Sequence, residues 1–233
     1  MKRIVVPTRT GSDWQPLLAQ PERHWKKGAS AMTVAASWEG AGSALPSEIA
    51  AALNLCGSAC VADLRLIIAR PEWEVALEGG ETTSNTDVLA ICRNDVGLCV
   101  MAVEAKVHEG FGPLVGQKRA EASVGQSARV AYLERLLQVE RFADGIRYQL
   151  VHRTASALLT AQEFYAGTAV MMVQAWDAPS ARQDEFKAFC SAMRGKQLSP
   201  LVFALPDFER PKLFVAWCNG DPKFLNVELP SSF

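Results

Sequence analysis

The stretch that most constrains the fold is the run LCVMAVEAKV at residues 98–107. Successive side chains of a strand point to opposite faces of its sheet. Apolar residues occupy both faces of this run, which predicts a central strand that is covered on both sides. Glu104 and Lys106 share one of these faces. Charges at such a position are costly unless they are paired or bound to a metal ion.

A predicted hairpin brings a second carboxylate to the same place. Asp87 opens the preceding strand, TDVLAIC, and the short turn RNDVG would make the two strands antiparallel neighbours. The start of the first strand then lies beside the end of the second, close to Glu104 and Lys106. Two carboxylates about 4 Å apart repel by roughly 4 kcal/mol at an effective dielectric constant of about 20. A divalent cation would remove this repulsion, and oxygen ligands favour Mg²⁺ or Mn²⁺ over zinc.

The remaining patterns predict an α/β fold. A helix is expected from Pro46–Ser47–Glu48 to a stop at Pro71, followed by a strand in EWEVALEGG and the two strands of the hairpin. Helices are expected over residues 114–139, then a strand in YQLVHR, a helix in TASALLTAQEFYA, a strand in TAVMMVQAW, a helix in ARQDEFKAFCSAMRG and a strand in KLFVAWC. A meander followed by β–α alternation indicates a sandwich with a mixed sheet.

The chain divides into two parts by composition. Residues 1–45 are predicted to form an irregular N-terminal arm, anchored on the body by Trp14, Trp25 and Trp38. Residues 46–233 are predicted to form a single α/β domain.

Composition narrows the class of protein. The six cysteines include no C-x-x-C pair, so free, buried and reduced thiols in a cytoplasmic protein are expected. No apolar run approaches the roughly 18 residues of a membrane span, so no membrane partner is expected. The formal net charge of -1 demands no nucleic-acid partner but leaves room for a local basic groove.

The pattern of Asp87, a turn and then Glu104-Ala105-Lys106 on the next strand resembles the PD-(D/E)xK nuclease superfamily, which has the restriction-endonuclease-like fold. The αβββαβ core of that fold has the order predicted for residues 47–176. The stretch GGETTSNTDVLAICRNDVGLCVMAVEAKVHEGFGP also resembles an uncharacterised bacterial family related to these nucleases, as does YQLVHRTASALL further on. The likeness covers most of residues 70–176. It implies a three-layer sandwich with a central mixed β-sheet.

The resemblance also implies an activity, the Mg²⁺- or Mn²⁺-dependent hydrolysis of phosphodiester bonds, in DNA rather than RNA. Asp87 and Glu104 would hold the metal ion, and Lys106 would orient or activate the attacking water and balance the charge of the transition state. A further carboxylate is implied, for which Glu72 is the first choice. Glu48 and Glu74 stay open as alternatives.

Some members of the superfamily use a glutamine from the helix after the third strand, and Gln117 lies at that place, with Lys118 and Arg119 beside it for phosphate contacts. The sequence departs from the family at Thr86, where the superfamily has proline, and at Glu121, which breaks the Gln-x-x-x-Tyr pattern of some branches.

Three functions are compatible with these residues. The first is an active nuclease, the second a catalytically inactive binding or assembly module with the nuclease fold, and the third a hydrolase of another phosphate ester. A homodimer, paired through the tryptophan-rich arm, is a further expectation.

Overall fold

The computed structural model of the chain describes residues 11–80, 82–120 and 124–231, without the side chains of residues 124–127. Residues 1–10 of the predicted arm and Glu121 lie outside the described residues.

Seven strands form a single mixed sheet within the described part of the chain, in the order β1-β2-β3-β4-β7-β6-β5. The strands are β1 (Arg65–Val75), β2 (Ser84–Asn94), β3 (Gly97–Lys106), β4 (Thr168–Ala175), β5 (Lys196–Ser199), β6 (Val202–Leu205) and β7 (Lys212–Asn219). The central strands β3, β4 and β7 are parallel, whereas β1 and β2 on one side and β5 and β6 on the other are antiparallel.

Seven α-helices accompany the sheet in the described residues. They are α1 (Pro21–His24), α2 (Ser30–Ala41), α3 (Ser47–Asn54), α4 (Val115–Ala120), α5 (Val124–Leu136), α6 (Tyr148–Glu163) and α7 (Ser180–Ala192). Two 3-10 helices, Ser12–Leu17 and Pro222–Asn226, lie near the two ends of the described chain.

Helices cover both faces of the sheet, and β3 shows this residue by residue. Val100 shares a buried cluster with Leu150 of α6, while Met101 shares another with Trp38 of α2. The central position predicted for this strand is thereby confirmed. It follows that Glu104, two pleats beyond Val100, faces α6.

The N-terminal segment is more regular than the predicted irregular arm, since it contains the twelve-residue helix α2. Trp14, Trp25 and Trp38 are all buried. The Trp38 indole donates a 3.1 Å hydrogen bond to the Gln174 side chain of β4. The small residues of α2, such as Ala35, are buried as well, which lets the helix pack closely on the sheet. These Ala, Gly and Ser residues are what made the segment look like a loop in sequence.

The prediction of a strand in YQLVHR is wrong, because this stretch forms the beginning of α6. Leu150 and Val151 are buried, and Leu158 continues the same apolar face two turns later. Six residues are too few to separate a buried strand from the first turns of a buried helix by periodicity alone.

The prediction of a helical region ending at Pro71 is also wrong. The helix α3 ends at Asn54, and β1 begins at Arg65 and continues through Pro71. The strand β1 lies at the edge of the sheet. Proline is tolerated there, because its missing N–H can face away from the neighbouring strand.

Other expectations had mixed outcomes. All six cysteines are free thiols, as predicted, and all except the half-exposed Cys60 are buried. The short strands β5 and β6 were not predicted from the sequence. Among the described residues, no helix combines the length and apolarity needed to cross a membrane.

Candidate functional site

The hairpin between β2 and β3 forms the floor of the site. Val88 pairs with Val103 in antiparallel register, so Asp87 and Glu104 are the next residues along the two strands. The Asp87 Oδ2 atom accepts a 2.6 Å hydrogen bond from the backbone N–H of Ala105. The hairpin therefore places the carboxylates of Asp87 and Glu104 side by side. Ala105, which donates to Asp87, lies between Glu104 and Lys106 in the chain.

Glu104 is almost fully enclosed, with 2% of its surface exposed, and both of its carboxylate oxygens are occupied. Its Oε1 atom accepts from the Lys106 ammonium at 2.5 Å and from the Gln149 amide at 2.6 Å. Its Oε2 atom accepts from the Arg153 guanidinium at 2.5 Å. Gln149 and Arg153 are one helical turn apart on α6, so that helix presents both donors to the end of β3.

Glu72 reaches the site from the edge strand β1. Its φ angle of 51° lies in the left-handed region, which is rare for a residue with a side chain. Backbone strain of this kind concentrates at functional sites. The Glu72 carboxylate accepts a 2.6 Å hydrogen bond from the Asn85 amide nitrogen. The Asn85 Oδ1 atom is buried and has no hydrogen-bond partner among the described residues.

The electrostatics of the floor are unbalanced. Three carboxylates, Glu72, Asp87 and Glu104, face two cations, Lys106 and Arg153, which leaves one negative charge unpaired when all are ionised. Burial, and then repulsion from Glu104, raises the pKa of Asp87 to about 7. Burial, and then repulsion from Asp87, raises the pKa of Glu72 to about 8.

The surroundings of Glu104 and Lys106 favour the charged form of each side chain. Burial opposes the ionisation of Glu104, but Arg153 and Lys106 outweigh it and lower the pKa of this carboxyl to about 2. Burial alone would lower the pKa of Lys106, but Glu104 and Asp87 outweigh it and raise that pKa above the ordinary lysine value. Lys106 is therefore an ammonium at neutral pH, and it can donate hydrogen bonds but cannot take up a proton.

These side chains line a cleft of about 820 Å³. Its other wall belongs to the N-terminal segment, where Arg23, His24, Lys26 and Lys27 are exposed along the rim. The cleft therefore combines an acidic floor with a basic rim.

The other candidates from the sequence lie elsewhere. Gln117 is exposed at the start of α4, where its amide oxygen accepts a 2.7 Å hydrogen bond from the backbone N–H of Leu114. Glu48 accepts a 2.8 Å hydrogen bond from the buried amide of Gln174, away from the cleft. Glu74 is exposed. Of the three glutamates left open as the further carboxylate, Glu72 is the one that lines the cleft.

Arg119, considered in the sequence for phosphate contacts, is used inside the protein. Its guanidinium forms ion pairs with Glu134 and Asp144 and donates a 2.8 Å hydrogen bond to the carbonyl of Phe142. These contacts join α4 to α5 and to the loop after it.

The sequence reasoning missed Gln149 and did not place Arg153 or Asn85 in the site. The signal for the first two was the spacing of four residues between Gln149 and Arg153, which puts both on one face of a helix. Reading YQLVHR as a strand hid that spacing. Asn85 carried a weaker signal, two positions before Asp87 on the same strand.

The floor of the cleft offers some of the oxygen ligands that a divalent cation would need. Among the described residues, no group of three or more histidine, cysteine, aspartate or glutamate side chains is arranged as a metal site. Glu104 is occupied by its three donors, so the open oxygens belong to Asp87, Glu72 and the unpartnered Asn85 Oδ1. Two carboxylates and an amide oxygen are the ligand types that Mg²⁺ and Mn²⁺ accept. A bound cation would favour the ionised form of both carboxyls and so lower their raised pKa values.

Comparison with known proteins gives a family but no activity. Neither the curated proteins nor the solved structures contain a match to the chain. The family described as a domain of unknown function (DUF6946) matches residues 7–222, which include every residue of the site. Because this match spans nearly the whole chain, the protein belongs to the DUF6946 family.

Proposed function

We propose that this protein is a metal-dependent hydrolase of phosphodiester bonds in nucleic acid, with DNA as the favoured substrate and RNA as the second. We further propose that residues 47–176 form a restriction-endonuclease-like core within a three-layer sandwich. The order of helix α3, strands β1–β3, helices α4–α6 and strand β4 supports this assignment.

The observation that carries the proposal is the crowding of three carboxyl groups, Glu72, Asp87 and Glu104, around only two cations at the floor of the cleft. Asp87 and Glu72 have raised pKa values and line the cleft with Asn85, whose buried amide oxygen has no hydrogen-bond partner among the residues that the structure describes. A divalent ion held by these three residues would supply a Lewis acid for a phosphoryl oxygen and lower the pKa of a bound water. Mg²⁺ or Mn²⁺ suits the oxygen ligands.

The chain's own side chains divide the remaining tasks. Lys106, as a permanent ammonium, can donate to a phosphoryl oxygen and stabilise the charge that develops there. Arg153 and Gln149 hold Glu104, and Glu104 in turn holds Lys106 in place.

The basic rim supports a polyanionic substrate. Arg23, Lys26 and Lys27 are exposed and line the same cleft as the acidic floor, and basic side chains of this kind are the usual contacts of a phosphate backbone. We expect Lys26→Ala/Lys27→Ala to raise KM while kcat changes little, and to weaken the salt dependence of binding. The double variant Lys187→Ala/Lys196→Ala removes the same charge from an exposed surface away from the cleft and serves as the control.

The main test is a nuclease assay with Mg²⁺ or Mn²⁺ on duplex DNA, single-stranded DNA, RNA and a small phosphodiester. Asp87→Asn and Lys106→Met are expected to lose activity by about 10²-fold or more. Glu74→Gln, which removes an exposed carboxylate from the same strand as Glu72, should keep it. Equal activity in all variants would indicate a contaminating nuclease and contradict the proposal. Cleavage of the small phosphodiester alone would favour a hydrolase of another phosphate ester.

A second function is favoured by one observation, the complete occupation of Glu104 by Lys106, Gln149 and Arg153. A site closed in this way suits a catalytically inactive module that binds or assembles without turnover. Calorimetric titration with Mn²⁺ separates the two functions. Binding that Asp87→Asn abolishes supports the hydrolase, and no heat at millimolar Mn²⁺ supports the inactive module.

A homodimer and a cytoplasmic location remain proposals as well. The oligomeric state is best measured by sizing the full chain. Removing the N-terminal segment would take away Trp14, Trp25 and Trp38, which are buried in the protein's own core. A monomer at micromolar concentration would contradict the dimer.

A further inference from the structure

A second pocket, separate from the cleft, surrounds Arg129 of α5. It has a volume of about 210 Å³ and shares no lining residue with the cleft. This volume is below the roughly 300–1,000 Å³ that is usual for pockets of drug-sized ligands, so a small ligand is indicated.

Arg129 is buried, with 7% of its surface exposed, yet its partners are all neutral. Its guanidinium donates to the carbonyls of Glu78 and Leu77 and to the hydroxyl of Thr82, at 3.3, 3.1 and 2.8 Å. Among the described residues it forms no ion pair with a carboxylate. A buried cation without an anion is costly, which gives this position an affinity for a negative charge.

The loop before β2 is built around this arginine. Gly79 has a φ angle of 84°, and a Cβ atom there would lie 2.4 Å from the backbone nitrogen of Arg129. A Cβ on Gly80 would lie 2.9 Å from the guanidinium. The absence of side chains at Gly79 and Gly80 therefore allows the loop to pack directly against Arg129. This packing fixes the position of the guanidinium in the wall of the pocket.

The other lining residues supply hydrogen-bond donors. Ser84 Oγ accepts a 2.8 Å hydrogen bond from Arg153 and shares a 2.9 Å hydrogen bond with His152 Nδ1. Burial, and then Arg153, lowers the pKa of His152 to about 3, so the ring is neutral at pH 7 and one of its two nitrogens carries a hydrogen. The Tyr148 side chain also lines the pocket, and its hydroxyl can donate a hydrogen bond to a ligand.

We propose that this pocket binds a small oxyanion, with a phosphate group as the best match. The argument rests on the buried Arg129, which forms no ion pair within the described part of the chain, and on the Tyr148, His152 and Lys118 side chains that line the same pocket. It does not depend on the hydrolase proposal. Ser84 links the two places, because it contacts both His152 of the pocket and the Arg153 that holds Glu104.

The experiment is a calorimetric titration of the full chain with inorganic phosphate, in EDTA and at constant ionic strength set with chloride. We expect saturable binding of one phosphate per chain. Tyr148→Phe and Lys118→Met should each raise the Kd for phosphate by about tenfold. Lys187→Met, an exposed lysine on α7, should leave it unchanged. Arg129 itself is not substituted, because its removal would also release the Gly79–Gly80 loop.

Three outcomes would overturn the proposal. The first is the absence of saturable binding, and the second is a Kd that neither Tyr148→Phe nor Lys118→Met changes. The third is binding that is lost in Lys26→Ala/Lys27→Ala, which would assign the phosphate to the rim of the cleft. The phosphate titration is done in EDTA and needs no divalent ion, whereas the nuclease assay requires one. The two proposals can therefore fail independently of each other.

Discussion

Replacing Asp87 by asparagine should stabilise the metal-free protein, although Asp87 belongs to the proposed active site. Asparagine has the same shape, and its side-chain oxygen can keep the hydrogen bond from the Ala105 backbone N–H. What changes is the charge. The ionised carboxylate of Asp87 lies beside Glu104 in an environment that disfavours it, and the neutral amide does not.

The size of the effect follows from the pKa. The Asp87 pKa rises from 3.8 to about 7 in the folded chain, and each unit corresponds to about 1.36 kcal/mol. The folded state therefore binds the proton more tightly than the unfolded state. Stability is lost as the pH rises above the unfolded value, and the loss is complete above the folded value. Asp87→Asn should gain at most about 4 kcal/mol at about pH 8, and only about 1 kcal/mol at about pH 4.5.

The assay is urea unfolding of wild type and Asp87→Asn at these two pH values in EDTA, followed by tryptophan fluorescence. In a second series without EDTA, added Mg²⁺ or Mn²⁺ should stabilise wild type by about 1.4 kcal/mol per tenfold increase in concentration above the Kd, and should not stabilise the variant. An Asp87→Asn protein that is no more stable than wild type at about pH 8 would refute the reasoning. It would mean that Lys106 and Arg153 already neutralise Asp87 and that the floor needs no cation.

Three further predictions concern other parts of the molecule. Glu104→Gln should destabilise by about 3–5 kcal/mol in urea unfolding, because it leaves two buried cations without their partner; a loss below about 1 kcal/mol would contradict this. Gln174→Leu should cost about 1–3 kcal/mol, since it leaves the Trp38 indole N–H unpaired, whereas Gln162→Leu on the exposed side of α6 should have little effect in the same assay. In a thiol titration of the native protein, Cys60 should react first and the five buried cysteines only on unfolding, and Cys60→Ala should remove the fast reaction.

The part of the site that the sequence predicts is the part set by local rules. A strand alternates its side chains and a short turn fixes the register of a hairpin, so Asp87, Glu104 and Lys106 could be placed together from spacing alone. The result depended on a register that the structure confirms through the Val88–Val103 pair. The buried character of β3 followed from its composition in the same way.

The part that the sequence does not predict depends on tertiary context. Gln149 and Arg153 act together because they lie on α6, and a six-residue apolar stretch does not distinguish a helix from a strand. Pro71 looked like the end of a helix, but an edge strand accommodates it. The left-handed backbone of Glu72 has no sequence signal, since glutamate is not a residue that favours that conformation.

The predicted pair of metal ligands, Asp87 and Glu104, is divided by the structure into two roles. Both carboxylate oxygens of Glu104 accept hydrogen bonds from Lys106, Gln149 and Arg153, so its charge is neutralised inside the protein. Within the described residues, Asp87 has one hydrogen bond, from a backbone N–H to its Oδ2 atom, and therefore keeps its Oδ1 atom for a ligand. The two substitutions should consequently differ in sign, with Glu104→Gln destabilising the fold and Asp87→Asn stabilising it while activity is lost in both. A pair of equivalent metal ligands would instead respond alike, so the two unfolding measurements distinguish an asymmetric floor from a symmetric one.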